Sequence, residues 1–367
     1  MATMESAWAS KALESWAFVQ KILADITESV RSDAENEREL LEGLRVVARV
    51  TALCSELSVD ADPDAPWFFD MCTPARMIGG PNPDGGYYLA MIRGDRAYRV
   101  SGRRGTTAYL GLQVLAGIGM TPRRMGAYVS DRDLEIDEGR FDLVFSSAEP
   151  PAEVLDGAQW IPMPEDASSI VVREYVGDAA TEQPAILDIQ PLGEVAPPPP
   201  VSDAELAEQF TSMAWTIVKL STLHRTIKPE LLTELNTMVT AAAADLGAAD
   251  TTPDNLYMIG TFALDLHETL VLEFAPPDTR YWNVTLENIW HECLEPRRRH
   301  SSVTNRGIEP GADGLIRIAI GADDLGHGHW LDTGGRHRGF VILRWLDNPE
   351  PPDVQVSVCG AQSPADR

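Results

Sequence analysis

The feature that most constrains this chain is an internal duplication. Pro83-Asp84-Gly85-Gly86-Tyr87 lies over Pro253-Asp254-Asn255-Leu256-Tyr257 at an offset of 170 residues. Tyr109-Leu110-Gly111-Leu112 lies over Tyr281-Trp282-Asn283-Val284 at 172, and Glu138-Gly139-Arg140-Phe141 over Asp313-Gly314-Leu315-Ile316 at 175. Trp160-Ile161 lies over Trp330-Leu331, and Val171 to Tyr175 over Val341 to Trp345, both at 170. Five anchors in one order predict two copies of one unit. Within each copy, short runs such as Tyr87 to Ile92, Ala108 to Val114 and Ile170 to Tyr175 lie between Gly/Pro turns. Runs of that length with partial two-residue alternation read as antiparallel strands with one buried face. Strands of this kind hide their edges by closing into sandwiches or jelly rolls.

Helical patterns precede each copy. Trp8, Ala12, Trp16, Val19, Leu23 and Ile26 recur at threes and fours, as do Leu40, Leu44, Val47, Val50, Leu53 and Leu57, which predicts a packed helical hairpin. Pro197 to Pro200 reads as a stiff extended linker. Ser202 with Glu205 offers a helix start, followed by Leu206, Phe210, Met213, Ile217 and Leu220 at helical spacing. A further helix is expected to run to the alanines at 241–244. The fold class is therefore α+β, mainly β: two related antiparallel β-sandwich or jelly-roll units, each preceded by a helical segment. The divisions are 1–66 helical, 67–196 first β unit, 197–250 linker and helices, and 251–367 second β unit.

Composition narrows the partners. The net charge is −26, and only four of the thirty basic residues are lysines. That balance argues against nucleic acid and anionic membrane surfaces, which need a basic footprint. No apolar run approaches a membrane span. The N-terminus reads as an amphipathic helix, without the basic start and apolar stretch of a signal peptide. Cys54, Cys72, Cys293 and Cys359 are scattered with no C-x-x-C pair, which points to reduced thiols. A soluble, acidic, cytoplasmic protein is expected, with a homo-oligomer left open.

Asn82-Pro83-Asp84-Gly85-Gly86-Tyr87-Tyr88, the strand Tyr281-Trp282-x-Val284-x-Leu286, and the ending Trp330-Leu331 to Leu343-Arg344-Trp345 resemble the DUF1214 family. The first half is similar in layout to its usual companion, DUF1254. The resemblance covers roughly 67–350 and is clearest over 253–348. It implies two related β domains and carries no mechanism. The long acidic helical N-terminus and the 202–246 linker helices depart from the usual pattern.

The histidines point to the second copy, which holds six of the seven: His267, His291, His300, His327, His329 and His337. Asp265 and His267, two residues apart, would share a strand face and form an acid–base pair; the plainer reading is an exposed face with a salt bridge. His327-Gly-His329 could share a metal with Asp332, His337 or Glu292, although the cupin spacing is absent and a solvent loop is the plainer reading. His291 beside Cys293 does not by itself converge as a nucleophilic pair requires. Arg297-Arg298-Arg299-His300 could clamp an anion or remain a solvated loop. Arg173 and Arg344 recur in both copies, which favours a domain-building role.

The leading expectation is a hydrophobic small molecule bound in or between the β units. It would be transformed by metal-free acid–base chemistry through Asp265, His267, His291 and Arg344, with Tyr88, Arg297, His300 and Trp330 binding it and no cofactor. The alternatives are a non-catalytic interaction module and a metal enzyme using His327, His329 and Asp332.

Overall fold

The computed structural model describes residues 10–117, 123–227, 233–241, 251–347 and 350–360. Helices α1 (Lys11–Asp33) and α2 (Glu37–Ser55), the latter continued by a π turn (Glu56–Asp60), open the chain. The first unit follows: β1 (Phe69–Asp70), β2 (Gly85–Met91), β3 (Tyr98–Arg103), β4 (Tyr109–Ala116), β5 (Arg124–Ser130), β6 (Arg140–Ser146), short α3 (Ala152–Leu155), β7 (Gln159–Pro162), β8 (Ala167–Tyr175) and β9 (Ile186–Pro191). After α4 (Asp203–Ser221) and a 3₁₀ turn (Leu223–Arg225) come β10 (Met238–Ala241), β11 (Asn255–Ala263), β12 (Glu268–Phe274), β13 (Trp282–Glu287), β14 (Ser302–Thr304), β15 (Ile316–Gly321), β16 (His329–Asp332), β17 (Arg338–Leu346) and β18 (Gln355–Gly360).

The duplication is visible in the topology. The first unit pairs a five-stranded sheet, β1-β2-β8-β4-β5, with a four-stranded one, β7-β6-β3-β9. The second repeats this strand for strand as β10-β11-β17-β13-β14 and β16-β15-β12-β18. Each pair of sheets encloses its own apolar core. One is built around Tyr98, Leu112, Phe145 and Val172, the other around Phe262, Leu272, Trp282, Leu286 and Trp345.

Four details differ from the sequence reading. Most pairs are antiparallel, but β6–β7 and β15–β16 are parallel, because the chain crosses over between them before pairing again. Residues 238–241, expected in a helix, form β10, so the second unit begins earlier than 251; the alanines at 242–244 lie outside the described residues. The inner strands β4 and β13 are buried on both faces, because helices and the other unit cover the outer faces of the large sheets. The last correction concerns register. Arg173 pairs with Tyr87 and Gly111, and Arg344 with Tyr257 and Asn283, so Arg173 corresponds to Arg344 at an offset of 171. The alignment of Val171 to Tyr175 over Val341 to Trp345 is thus one residue out. In a strand one residue exchanges the faces: Val341, Leu343 and Trp345 enter the core, whereas Arg173 and Arg344 point outward from it.

The helices do not form separate prefaces. Helix α4 lies beside α1 with their N-termini together. Asp203 at the start of α4 accepts the backbone N–H groups of Lys11 and Ala12 at 3.0 and 3.2 Å, alongside the Ser10 hydroxyl. A carboxylate there satisfies orphan amides and complements the α1 dipole. One core joins Val19 and Ile26 of α1, Val47 and Val50 of α2, and Ile217 of α4 to Ile78 and Trp290. The helical layer therefore sits on the second unit beside His291.

Candidate functional site

The register builds three rows across the outer face of the second large sheet. They are Tyr257, Arg344 and Asn283; then Ile259, Ile342 and Thr285; then Thr261, Phe340 and Glu287. The first unit has Tyr87, Arg173 and Gly111; then Leu89, Val171 and Gln113; then Met91, Ser169 and Leu115. The first row keeps its arginine in both copies. The third row does not repeat: Glu287 stands where the first copy has Leu115.

Glu287 is fully buried and lies 2.7 Å, through Oε2, from Nδ1 of His291. The following turn brings the ring there. Asn288 accepts the N–H groups of Trp290, His291 and Glu292, and His291 takes φ 57°, a left-handed conformation that costs a bulky residue energy. The imidazole stacks on Phe340 with centroids 4.2 Å apart and planes 14° apart. A carboxylate in its ionised form only accepts, so a hydrogen bond to it uses the imidazole tautomer that donates from Nδ1 and leaves the lone pair on Nε2. That Nε2 and Glu287 Oε1 are both buried, with no hydrogen-bond partner among the described residues.

Arg344 completes the group. It is buried, donates to Gly80 O at 2.7 Å, and its Nη2 lies 3.7 Å from Glu287 Oε1. Neighbouring carboxylate and phenol oxygens outweigh burial and hold its guanidinium above its usual basicity. Gly80 also donates its N–H to His291 O at 3.0 Å. Its φ is +66°, and a Cβ there would stand 3.4 Å from Glu287 Oε1. Backbone from 77–82 therefore closes directly over the carboxylate, and a side chain at position 80 would meet it.

A polar seam continues from this group between the units. Asn283 donates to Asn82, Asn82 donates to the Tyr281 hydroxyl, and Tyr109, Tyr175 and Tyr281 stack in sequence. The seam is reciprocal. Tyr128 on β5 donates to Asp254 at 2.7 Å, while Asp84, the duplicate of Asp254, faces Ser302 on β14 and Asn283. Burial raises the Asp84 carboxyl to about 6, against those hydrogen bonds and the charge of Arg344.

The other residues singled out from the sequence do not join this group. Asp265 and His267 occupy an exposed turn between β11 and β12, not a strand face, and the Asp265 N–H is taken by Glu268. Tyr88 is in the first unit, donating to Glu174 at 2.7 Å. Arg297 and His300 are exposed, and Trp330 on β16 donates to Gly321 O. His329 lies near Glu309 O, and Asp332 is engaged by Arg299 at 2.8 Å. Among the described residues no three His, Cys, Asp or Glu side chains are grouped to hold a metal, so His327, His329 and Asp332 do not form a centre. Glu292 and His337 are elsewhere engaged: Glu292 pairs with Arg45 and Arg49 of α2, and His337 lies near Leu264 O. Cys293 is buried against Pro81 O, and burial raises its thiol well above its usual range, which leaves it unsuited to act as a nucleophile.

Glu287, Gly80 and Phe340 were not singled out from the sequence. One signal was available for Glu287. At the offset of 172 that aligns the two tyrosine strands, it falls on Leu115, an acid where the sister strand is apolar.

No helix among the described residues is long and apolar enough to cross a membrane. No curated protein matches the chain. The crystal structure of an uncharacterized protein from Burkholderia cenocepacia is similar, with a TM-score of 0.89 and 28% identity over 96% of this chain and 98% of that one. The VPA0106 protein from Vibrio parahaemolyticus shares the fold, with a TM-score of 0.50 and 13% identity over 93% of this chain and 100% of that one. The two-unit arrangement is thus found in solved proteins across their whole length, and residues 261–350, most of the second unit, match the model of the family described as Protein of unknown function (DUF1214).

Proposed function

We propose that the second unit carries a metal-free acid–base site for a small hydrophobic molecule, with His291 Nε2 as the proton-transferring atom. Glu287 orients the imidazole, and Arg344 steadies the carboxylate. The observation that carries this reading is the buried Glu287–His291 pair, which the duplication does not explain and whose outer nitrogen has no partner. A structural pair would be expected to use both nitrogens. Phe340, against which the ring stacks, belongs to a buried apolar group with Ile227, Tyr257, Ile259 and Ile342, so the imidazole stands in apolar surroundings. The DUF1254-like layout of the first unit and a cytoplasmic location belong to the same proposal. The four cysteines are free thiols, as a reducing compartment keeps them.

The test is a thermal-shift screen of apolar compounds that carry one carbonyl group. A compound that fits the site stabilises the wild type, loses at least tenfold in affinity in Phe340→Ala, and is turned over roughly 10²–10⁴-fold more slowly by His291→Asn. Asparagine tolerates the left-handed backbone at that position. Binding that is indifferent to both substitutions would place the ligand elsewhere and remove the reading.

One observation favours a second reading, association with another copy through the helices. Trp16 (41% exposed) and Trp215 (50% exposed) stand open on α1 and α4, and Trp16 borders an apolar groove of about 660 Å³ with Leu13, Phe210 and Met213. Sedimentation decides it. A dimer that Trp16→Ser converts to monomer supports the reading, and a monomer at 100 µM (roughly a hundredfold above a micromolar Kd) ends it.

A further inference from the structure

The unpartnered atoms around Glu287 and His291 share one polarity. The carboxylate meets His291 Nδ1 through Oε2 at 2.7 Å, so Oε1 is left to accept, and the ring keeps its lone pair on Nε2. On the same face of β13, Asn283 Oδ1 is a further buried oxygen without a hydrogen-bond partner among the described residues. Its amide orientation is fixed by its neighbours. The Asp84 N–H donates to Asn82 Oδ1 at 3.0 Å, and Asn283 Nδ2 donates to that same oxygen at 2.7 Å. In the row of Glu287, the Thr261 hydroxyl is also unpartnered, and a hydroxyl serves in either role. Among the described residues, no buried unpartnered atom on this face is confined to donating. There is also room beside the carboxylate. At the Cβ position that Gly80 lacks, the three nearest atoms beyond its chain neighbours all belong to Glu287, the closest being Oε1 at 3.4 Å. A methyl-sized space therefore faces Oε1.

We propose that the ligand of this site is a neutral molecule offering an O–H or N–H group on an apolar body. Among compounds with one carbonyl, the site selects those that also donate. Charge excludes the alternatives. A carboxylate or phosphate would bring a second negative charge against a fully buried one. An ammonium would meet the Arg344 guanidinium, whose Nη2 stands 3.7 Å from Glu287 Oε1. A ligand that only accepts leaves Oε1 and Nε2 desolvated and unpaired, and a site built around such groups rejects the analogue that lacks the donor. The inference rests on the acid–base reading of the pair, since the donated hydrogen is the one that Nε2 would take.

It is tested apart from turnover. Long-range ¹H–¹⁵N NMR of the full chain reads the His291 ring, where the Nδ1–H tautomer is expected. The Nε2–H tautomer overturns the inference without any ligand. Calorimetry then compares isosteric probes: para-hydroxyacetophenone with para-methylacetophenone, and N-methylbenzamide with methyl benzoate. The donor-bearing member of each pair is expected to bind the wild type about tenfold more tightly, or better. Glu287→Gln is expected to abolish that preference whichever way its amide turns. Either the amide nitrogen replaces Oε1, or it donates to Nδ1 and moves the ring proton to Nε2; each turns one acceptor into a donor. Equal or tighter binding of the donor-free members, no binding by either donor-bearing probe, or an unchanged preference in a folded Glu287→Gln overturns the inference. The wild-type comparison decides even where the variant does not fold. A donor preference with no turnover that depends on His291 ends the acid–base reading alone, and turnover of donor-free compounds at His291 ends this inference alone.

Discussion

Replacing Arg344 by methionine is expected to destabilise the protein by about 3–5 kcal/mol, the range seen when one member of a buried ion pair is removed. The guanidinium holds Gly80 O at 2.7 Å and also reaches Thr285 Oγ1 and Glu287. Methionine fills much of the volume but leaves a fully buried carboxylate without its cation. The Gly80 carbonyl also loses its donor, so the 77–82 backbone loosens over the site. At roughly 2–4 °C per kcal/mol for a domain of 150–250 residues, Tm falls by about 6–20 °C. Arg344→Lys recovers little, because one ammonium cannot span the separate acceptors that the planar fork reaches. Arg297→Ala is the control. That side chain is exposed, and the change stays within about 0.5 kcal/mol. Calorimetry at pH 7 separates the cases, and a loss below about 1 kcal/mol for Arg344→Met would show that Glu287 does not depend on it.

Arg344 also marks how far the sequence could be read. Its recurrence with Arg173 suggested a domain-building role, and the structure supplies the reason. Both arginines stand on the central strand of a large sheet, beside Tyr87 in one copy and Tyr257 in the other. The aromatic strands and Gly/Pro turns made the two units legible, because those positions repeat chemically. The helices were legible from periodicity, but their mutual packing was not. Asp203 reaches the start of α1 across more than 190 residues of chain, and no local pattern encodes that.

The site was legible only in part. His291 and Arg344 stood out by residue type, whereas Asp265 and His267 drew notice through a two-residue spacing that a turn makes meaningless. Glu287 escaped because the rows run across strands, and strand neighbours are set by register rather than by sequence distance. The one-residue error over 171–175 shows how fragile that register is. It exchanged the core face for the outer face, the face on which Arg344 and Glu287 meet.

The same reciprocity yields the second large effect, at Asp84. Its carboxyl is raised from the ordinary 3.8 to about 6, chiefly by burial. A raised acid binds its proton more tightly in the folded chain. Its contribution to stability is therefore full below the unfolded value near 3.8 and is lost as pH climbs through 6. Above that, the ionised form costs the fold up to about 3 kcal/mol, at roughly 1.4 kcal/mol per pH unit of displacement. Asp84→Asn keeps the shape and a hydrogen-bonding carbonyl and removes the charge. The variant is expected to exceed the wild type by about 1–3 kcal/mol at pH 7.5 and to match it at pH 4. Its duplicate predicts the opposite. Asp254 accepts the Tyr128 hydroxyl at 2.7 Å, so Asp254→Asn weakens a charge-assisted bond and gives no gain at pH 7.5. Denaturant unfolding of both variants at the two pH values checks the pair. A destabilised Asp84→Asn at pH 7.5 would mean that the Arg344 charge, not burial, governs Asp84, and that the seam between the units is held by an ion pair there.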